Sequence, residues 1–215
     1  DNYFYPVVLR DVKFDMLRHT YITNYITDKA LDFLRNRDTE KPFYLSVHYT
    51  APHSPWERNQ HPEEFYDLYQ DCPFVETPNV PPHKWGHAYS QEERRKRLQG
   101  YYAAVTAMDS DIGKLVGYLK KEGLWDDTIV IFTADNGMSM GHHGIFGKGN
   151  GTFPLNMYDT AVRVPMIVTY PRGIRGGCVA KGLYSHYDLM PTIAGLMGEA
   201  PEEGCPCQSK SPYPE

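Results

Sequence analysis

The sequence predicts an α/β fold, a mostly parallel sheet with helices on both faces, because runs of strand character alternate with segments of helical period. Thr128-Ile129-Val130-Ile131-Phe132-Thr133 is a continuous apolar, β-branched run, the pattern of a strand buried on both faces as in a parallel sheet. Phe43, Leu45, Val47 and Tyr49 alternate with Tyr44, Ser46 and His48, which is strand period. Two long stretches of helical period separate and flank these runs.

The elements follow in order. Residues 20–37 predict an amphipathic helix: Ile22, Ile26, Phe33 and Leu34 recur near helical spacing, with Lys and Arg between them. Lys41-Pro42 breaks that pattern. The alternating strand over 43–49 ends at Ala51-Pro52-His53-Ser54-Pro55, where two prolines stop both helix and ladder. Residues 56–90 read as an irregular excursion, with one short helix around 62–69; a loop this long in a compact domain is often functional. From Gln91 to about Glu122 a long helix is predicted, with Leu98, Tyr102, Val105, Met108, Ile112, Leu115 and Leu119 on one face. Ser90 is its N-cap, Glu93 completes a capping box, and Gly123 is its stop. The apolar strand 128–133 comes next, then a glycine-rich irregular stretch over 137–162. A second buried strand over 164–170 and a helix over 187–197, with Pro191 near its first turn, complete the pattern.

The chain has 215 residues, 41% hydrophobic and 23% charged, which suits a globular domain rather than a disordered segment. A net charge of −5 argues against a nucleic-acid partner, which calls for a basic stripe. The one charge cluster, Glu92-Glu93-Arg94-Arg95-Lys96-Arg97, reads as a solvated helix face. No apolar run approaches the roughly 20 residues that span a bilayer. Asp1-Asn2-Tyr3 has neither an initiator Met nor a basic-then-apolar leader, so a fragment or processed chain is expected, with no signal peptide in this segment. Cys72, Cys178, Cys205 and Cys207 match no zinc spacing and are read as free or structural thiols, with a disulfide of unassigned pairing as the alternative.

In an open parallel sheet, polar residues just past strand ends form the site. His53 follows the first strand, and Asp135 and Asn136 follow the strand 128–133. Asp135 and Asn136 set a carboxylate oxygen beside an amide oxygen, which suits Ca²⁺ or Mg²⁺; Asp-Asn-Gly is equally the composition of a tight turn. The run Gly141-His142-His143-Gly144 through Gly147-Lys148-Gly149 adds a lysine between two glycines. Its backbone can approach a ligand closely and its ammonium can pair with an oxyanion. His83 and His87, with Trp85, are candidates to line a sugar pocket but are read as surface residues of the excursion.

These segments carry a resemblance. TADNGMSMGHHGIFGKGNGTFPLNMYDTAVRVPMIV resembles the metal-and-lysine segment of the sulfatase family: Asp followed by Asn at a strand end, a G-x-H-G turn, then G-K, then V-P before the next strand. KPFYLSVHYTAPHSPW is similar to that family's strand ending in a Pro-His-x-Pro turn, and SHYDLMPTIAGLMG and the stretch 101–127 look like further family segments. The resemblance implies an alkaline-phosphatase-like α/β sandwich, incomplete here. Residues 1–200 would be a partial catalytic domain containing the excursion 56–90, and 201–215 a tail or the start of a truncated C-terminal region. It implies hydrolysis of sulfate esters on a sulfated small molecule or glycan, with Ca²⁺ preferred over Mg²⁺, in a periplasmic or secreted protein. By family role, Asp135 and Asn136 would be metal ligands, Lys148 would bind sulfate and assist catalysis, and His53 would protonate the leaving group; for His143 a substrate contact and a loop-stabilising hydrogen bond stand side by side. The family's nucleophile is a formylglycine made from a C-x-P-S-R type motif. No cysteine here has that motif, so it is expected upstream and this piece alone is expected to be inactive. Two alternatives stand beside this reading: a phosphatase or phosphodiesterase of the same superfamily, and a carbohydrate-binding relative without catalysis.

Overall fold

The computed structural model describes residues 2–10 and 12–198. Two units divide the chain, Asp1–Ile174 and Arg175–Glu215. In the first unit the order is β1 (Val7–Arg10), β2 (Lys13–Met16), α1 (Ile22–Asn36), α2 (Glu63–Asp67), α3 (Gln91–Lys121), β3 (Val130–Thr133), β4 (Ser139–Met140), β5 (Phe146–Gly147), α4 (Asp159–Val162) and β6 (Met166–Thr169). The described part of the second unit holds α5 (Leu189–Leu196), preceded by a short 3₁₀ turn at His186–Asp188. The expected tail 201–215, with Cys205 and Cys207, lies outside the described residues.

The helix α3 shows how closely local chemistry sets an element's ends. Ser90 Oγ accepts from the Glu93 N–H at 3.2 Å and the Ser90 N–H donates to Glu93 Oε2 at 2.8 Å, so the capping box forms as its residues predict. At the other end the Leu124 N–H reaches Leu119 O at 2.8 Å and the Gly123 N–H reaches Lys120 O at 3.2 Å, the paired bonds of a Schellman stop. The buried face of α3 is narrower in residue size than expected. Ala103, Ala104, Ala107 and Met108 are buried while Val105 and Leu115 are only half-buried. Small side chains let other backbone approach, most closely at Gly100, where a Cβ would lie 2.0 Å from Trp56 O.

Both α1 and α2 pack on α3. One core joins Tyr3, Tyr21, Ile22, Ala51, Ala104, Ala107 and Met108, with Phe132 of β3 against it. A second joins Trp56, Phe74, Leu98 and Met140, with Phe146 against it. Between α1 and α3 the buried Asp111 accepts from Thr27 Oγ1 at 2.9 Å and from the Lys114 ammonium; Thr27 Oγ1 in turn lies 2.8 Å from the Tyr49 hydroxyl. A buried carboxylate so supplied is tolerated, whereas removing a partner would strand its charge.

Three expectations need correction. Among the described residues the sheets are three two-stranded antiparallel pairs, β1–β2, β3–β6 and β4–β5, in place of a mostly parallel sheet. The apolar run gave neither direction nor full burial: β3 is half-buried throughout, and Ile167 of β6 is exposed. A parallel partner needs a helical crossover, and the chain from β3 to β6 contains only a small hairpin, short turns and the four-residue α4. The segment 43–49 keeps its alternation, with Phe43, Leu45, Val47 and Tyr49 half-buried and the residues between exposed, yet forms no ladder among the described residues. Its period fixes side-chain direction, while a strand also needs a hydrogen-bonding neighbour. Finally, Phe33 is 42% exposed and sits outside the buried stripe of α1, which runs through Thr23, Thr27, Ala30, Leu31 and Leu34. No helix among the described residues is long and apolar enough to cross a membrane.

Candidate active site

The turn bearing His53 hangs between the two cores. Ala51 belongs to the core that holds Phe132, and Trp56 to the one that holds Met140 of β4. Shared packing therefore brings the His53 turn to the segment that runs from β3 through β4, although these residues lie about 80 positions apart in sequence. The turn is fastened at several points: His53 N–H to Thr50 O at 3.0 Å, Trp56 Nε1–H to Pro52 O at 2.9 Å, and the Tyr3 hydroxyl to His53 O at 2.7 Å. The imidazole is exposed, with Nδ1 2.8 Å from Ser54 O. If that contact is the Nδ1–H donating to the carbonyl, Nε2 is the free nitrogen.

Asp135 and Asn136 follow β3 directly. Asp135 Oδ1 accepts from the Asn136 N–H at 2.9 Å, and the chain bends at these two residues without the hydrogen-bonded turn that Asp-Asn-Gly suggests. Asn136 Nδ2 donates to Gly137 O at 2.8 Å, which fixes the amide and leaves its oxygen on the other branch. The Gly137 N–H bonds to Ala161 O at 3.1 Å, and Ser139 Oγ lies 2.7 Å from Thr160 Oγ1, so the bend is held against α4.

The β4–β5 hairpin relates this bend to Lys148. Ser139 pairs with Gly147 and Met140 with Phe146. Asn136 stands three residues before Ser139, and Lys148 one residue after Gly147. Both therefore sit at the open end of the same hairpin, with Asn136 within roughly 10 Å and Asp135 within roughly 14 Å of chain from its first pair. Lys148 is half-buried, and its carbonyl accepts from the Gly151 N–H at 2.9 Å. Asn156 braces the same loop: its Nδ2 lies 3.2 Å from Lys148 O and 3.1 Å from Gly149 O, and its N–H bonds to Gly149 O at 2.9 Å. Sequence reading passed over Asn156, whose only signal was its place in the glycine-rich run.

His143 occupies the other, closed end of the hairpin. It is exposed, in left-handed backbone (φ 57°), and its ring stacks on Tyr158 at 4.0 Å and 10°. The hairpin register thus puts the Asp135–Asn136 segment and Lys148 at one end and His143 in the closing turn, while the His53 turn reaches β3 and β4 through the shared cores. Next to the His53 turn lies His61, buried among Tyr3 and Tyr21, with Nε2 3.1 Å from Pro55 O. Desolvation lowers its pKa to about 4, opposed by that carbonyl. Burial also raises the Tyr21 phenol to about 12 and the Tyr3 phenol further.

Asp135 and Asn136 suit a hard cation in kind, since both offer oxygen. They do not suffice in number, because Ca²⁺ takes six to eight oxygens and no group of three His, Cys, Asp or Glu gathers as a metal site among the described residues. They would be part of a shell.

The sulfatase family model matches residues 1–199, and the chain belongs to that family. It is 29% identical to the N-acetylglucosamine-6-O-sulfatase of Bacteroides thetaiotaomicron, over 94% of this chain and 47% of that protein. It is 30% identical to the arylsulfatase of Clostridium perfringens, over 80% of this chain and 37% of that protein. The solved structure of BT4656 in complex with its substrate D-glucosamine-2-N,6-O-disulfate superposes with a TM-score of 0.79 at 24% identity, covering 94% of this chain and 53% of that one. The fold is that of the alkaline-phosphatase-like sulfatases, and the chain spans about half or less of the length of these relatives.

Proposed function

We propose that the protein hydrolyses sulfate esters of carbohydrates and that this chain supplies the metal-completing, sulfate-binding and proton-donating side of the site. The observation that carries the reading is the β4–β5 register, which sets the Asp135–Asn136 bend and Lys148 at one end of one hairpin, in a chain whose family is sulfatase. Asp135 and Asn136 would hold Ca²⁺ in preference to Mg²⁺, which, when bound, supplies charge stabilisation to sulfate oxygens. The Lys148 ammonium pairs with a sulfate oxygen and offsets negative charge as it shifts towards the bridging oxygen. His53 delivers its proton to the ester oxygen as the alcohol departs. His143, at the closed end, contacts the substrate away from the sulfate. The 215 residues hold no C-x-P-S-R segment from which the family's formylglycine is made, so this chain by itself is proposed not to turn over a sulfate ester. A sulfated carbohydrate as the natural substrate agrees with what the N-acetylglucosamine-6-O-sulfatase relative is named for, and with a periplasmic or secreted site of action.

The test is the dependence of His53→Ala on leaving group in the full-length enzyme. General-acid help of ~10²–10⁴-fold, or ~3–5 kcal/mol, is needed by a sugar alkoxide and hardly at all by an activated aryl oxide. We expect kcat to fall by that order on a sulfated sugar and far less on an activated aryl sulfate. Equal losses on both would remove His53 from the acid role. An inactive wild-type enzyme on all sulfate esters would overturn the sulfatase reading itself.

A further inference from the structure

The excursion 56–90 does not simply loop away from the site. Its segment 81–86 is laid along the flank of the β4–β5 hairpin. The His83 N–H donates to Gly144 O at 3.1 Å, and the Phe153 N–H donates to Trp85 O at 3.4 Å. At Gly144 a Cβ would meet Pro81 O at 2.1 Å, so this docking needs a glycine there. His83 is half-buried with both ring nitrogens engaged: Nδ1 accepts from the Trp85 N–H at 3.2 Å, and Nε2 lies 3.5 Å from the Tyr158 hydroxyl. Tyr158 is in turn the ring on which His143 stacks. The result is a fastened turn that holds an indole outward: Trp85 is 52% exposed although its own backbone is bonded on both sides. The Lys84 ammonium lies 4.0 Å from the centroid of that indole.

We propose that Trp85 and Lys84, held by His83 and Tyr158, form a subsite for the sugar unit next to the esterified one, so that the preferred substrate is a sulfated oligosaccharide rather than a monosaccharide. The proposal rests on the sulfatase reading above for the identity of the ligand. A half-exposed indole offers apolar surface to the polarised C–H bonds of a pyranose, and the ammonium that lies over one of its faces suits an anionic substituent on that sugar. A ring already fixed by its backbone loses little freedom on binding, which favours recognition. The platform docks at Gly144, the closed end of a hairpin whose open end carries Lys148. The Trp85 carbonyl is itself bonded to Phe153, in the loop whose Gly151 N–H bonds to Lys148 O, so the indole stands beside the loop that carries the proposed sulfate-binding lysine, where a sugar unit neighbouring the ester would lie.

The experiment compares a sulfated monosaccharide with a disaccharide bearing the same ester, in the full-length enzyme and in its Trp85→Ala and Trp85→Phe variants. Trp85→Ala should lower kcat/KM on the disaccharide about tenfold, mainly through KM, change the monosaccharide by less than about twofold, and be largely rescued in Trp85→Phe. Equal losses on both sugars, or none on the disaccharide, would overturn the subsite. Should the wild type hydrolyse neither sugar, calorimetric titration of the disaccharide decides the subsite separately from the sulfatase reading. Binding lost in Trp85→Ala would sustain it; binding unchanged by the substitution, or absent from the wild type, would overturn it.

Discussion

The hydroxyl of Tyr3 donates a 2.7 Å hydrogen bond to the backbone carbonyl of His53, across 50 residues of sequence. Tyr3 is fully buried between Tyr21 and His61, and its own N–H is held by Gln60 Oε1 at 3.0 Å. It acts on the proposed acid only through backbone, which makes it a positioning residue. Tyr3→Phe keeps the ring and removes the bond, leaving a carbonyl short of a partner, at a cost of ~1–2 kcal/mol in stability. If the bond also aims the imidazole, the variant should lose several-fold in kcat on a sulfated sugar and little on an activated aryl sulfate, the same selective pattern as His53→Ala. A merely structural role would depress both substrates alike.

Asp135 and Asn136 differ in charge, and their removal should differ accordingly. Asp135→Ala deletes a charged ligand, and we expect loss of bound calcium together with a fall in activity on the order of a thousandfold; Asn136→Ala deletes a neutral one and should cost on the order of tenfold in calcium affinity. Elemental analysis alongside rate measurements checks this. Full calcium occupancy in Asp135→Ala would reject the assignment.

Two glycines of α3 should respond to alanine with opposite signs. At Gly117 a Cβ meets nothing within 4 Å, so Gly117→Ala should stabilise by up to ~1 kcal/mol through helix propensity alone. At Gly100 the new Cβ would stand 2.0 Å from Trp56 O, and the clash outweighs propensity, for a net loss of ~2 kcal/mol or more. Urea unfolding of the two variants reads both signs. Because Trp56 closes the turn that bears His53, Gly100→Ala should also lower activity on sulfated sugars.

His61 makes stability depend on acid. Its folded pKa of about 4 lies below the ordinary imidazole value of 6.5, so the unfolded chain binds the proton more readily. The stabilisation is full above pH 6.5, declines as the pH falls through the window from 6.5 to 4, and amounts to about 3 kcal/mol at most. Unfolding free energy measured across that window should lose this slope in His61→Leu.

Several of these relationships were legible in the residues and several were not. Ser90 and Glu93 named the start of α3 because a capping box is satisfied within four residues. Asp135, Asn136 and Lys148 stood out because their chemistry and spacing lie within one short stretch. By contrast, the antiparallel pairing of Ile131 with Val168 depends on how the intervening chain doubles back, and no apolar count encodes that. The bonds from Tyr3 to His53 and from His83 to Gly144 join residues 50 or more positions apart, so nothing in local periodicity announces them. Asn156 was hidden by its ordinariness: an asparagine in a glycine-rich loop says turn before it says brace.

The pairing of Ser139 with Gly147 has a thermodynamic corollary. In the proposed site, the cation's donors and the anion's lysine branch from one pair of backbone hydrogen-bonding partners, so neither can be displaced without disturbing the other. Ordering one side of this fork prepays part of the ordering of the other. Cation and sulfate ester should then bind with positive cooperativity, and by reciprocity whatever factor calcium adds to ester affinity, the ester must add to calcium affinity.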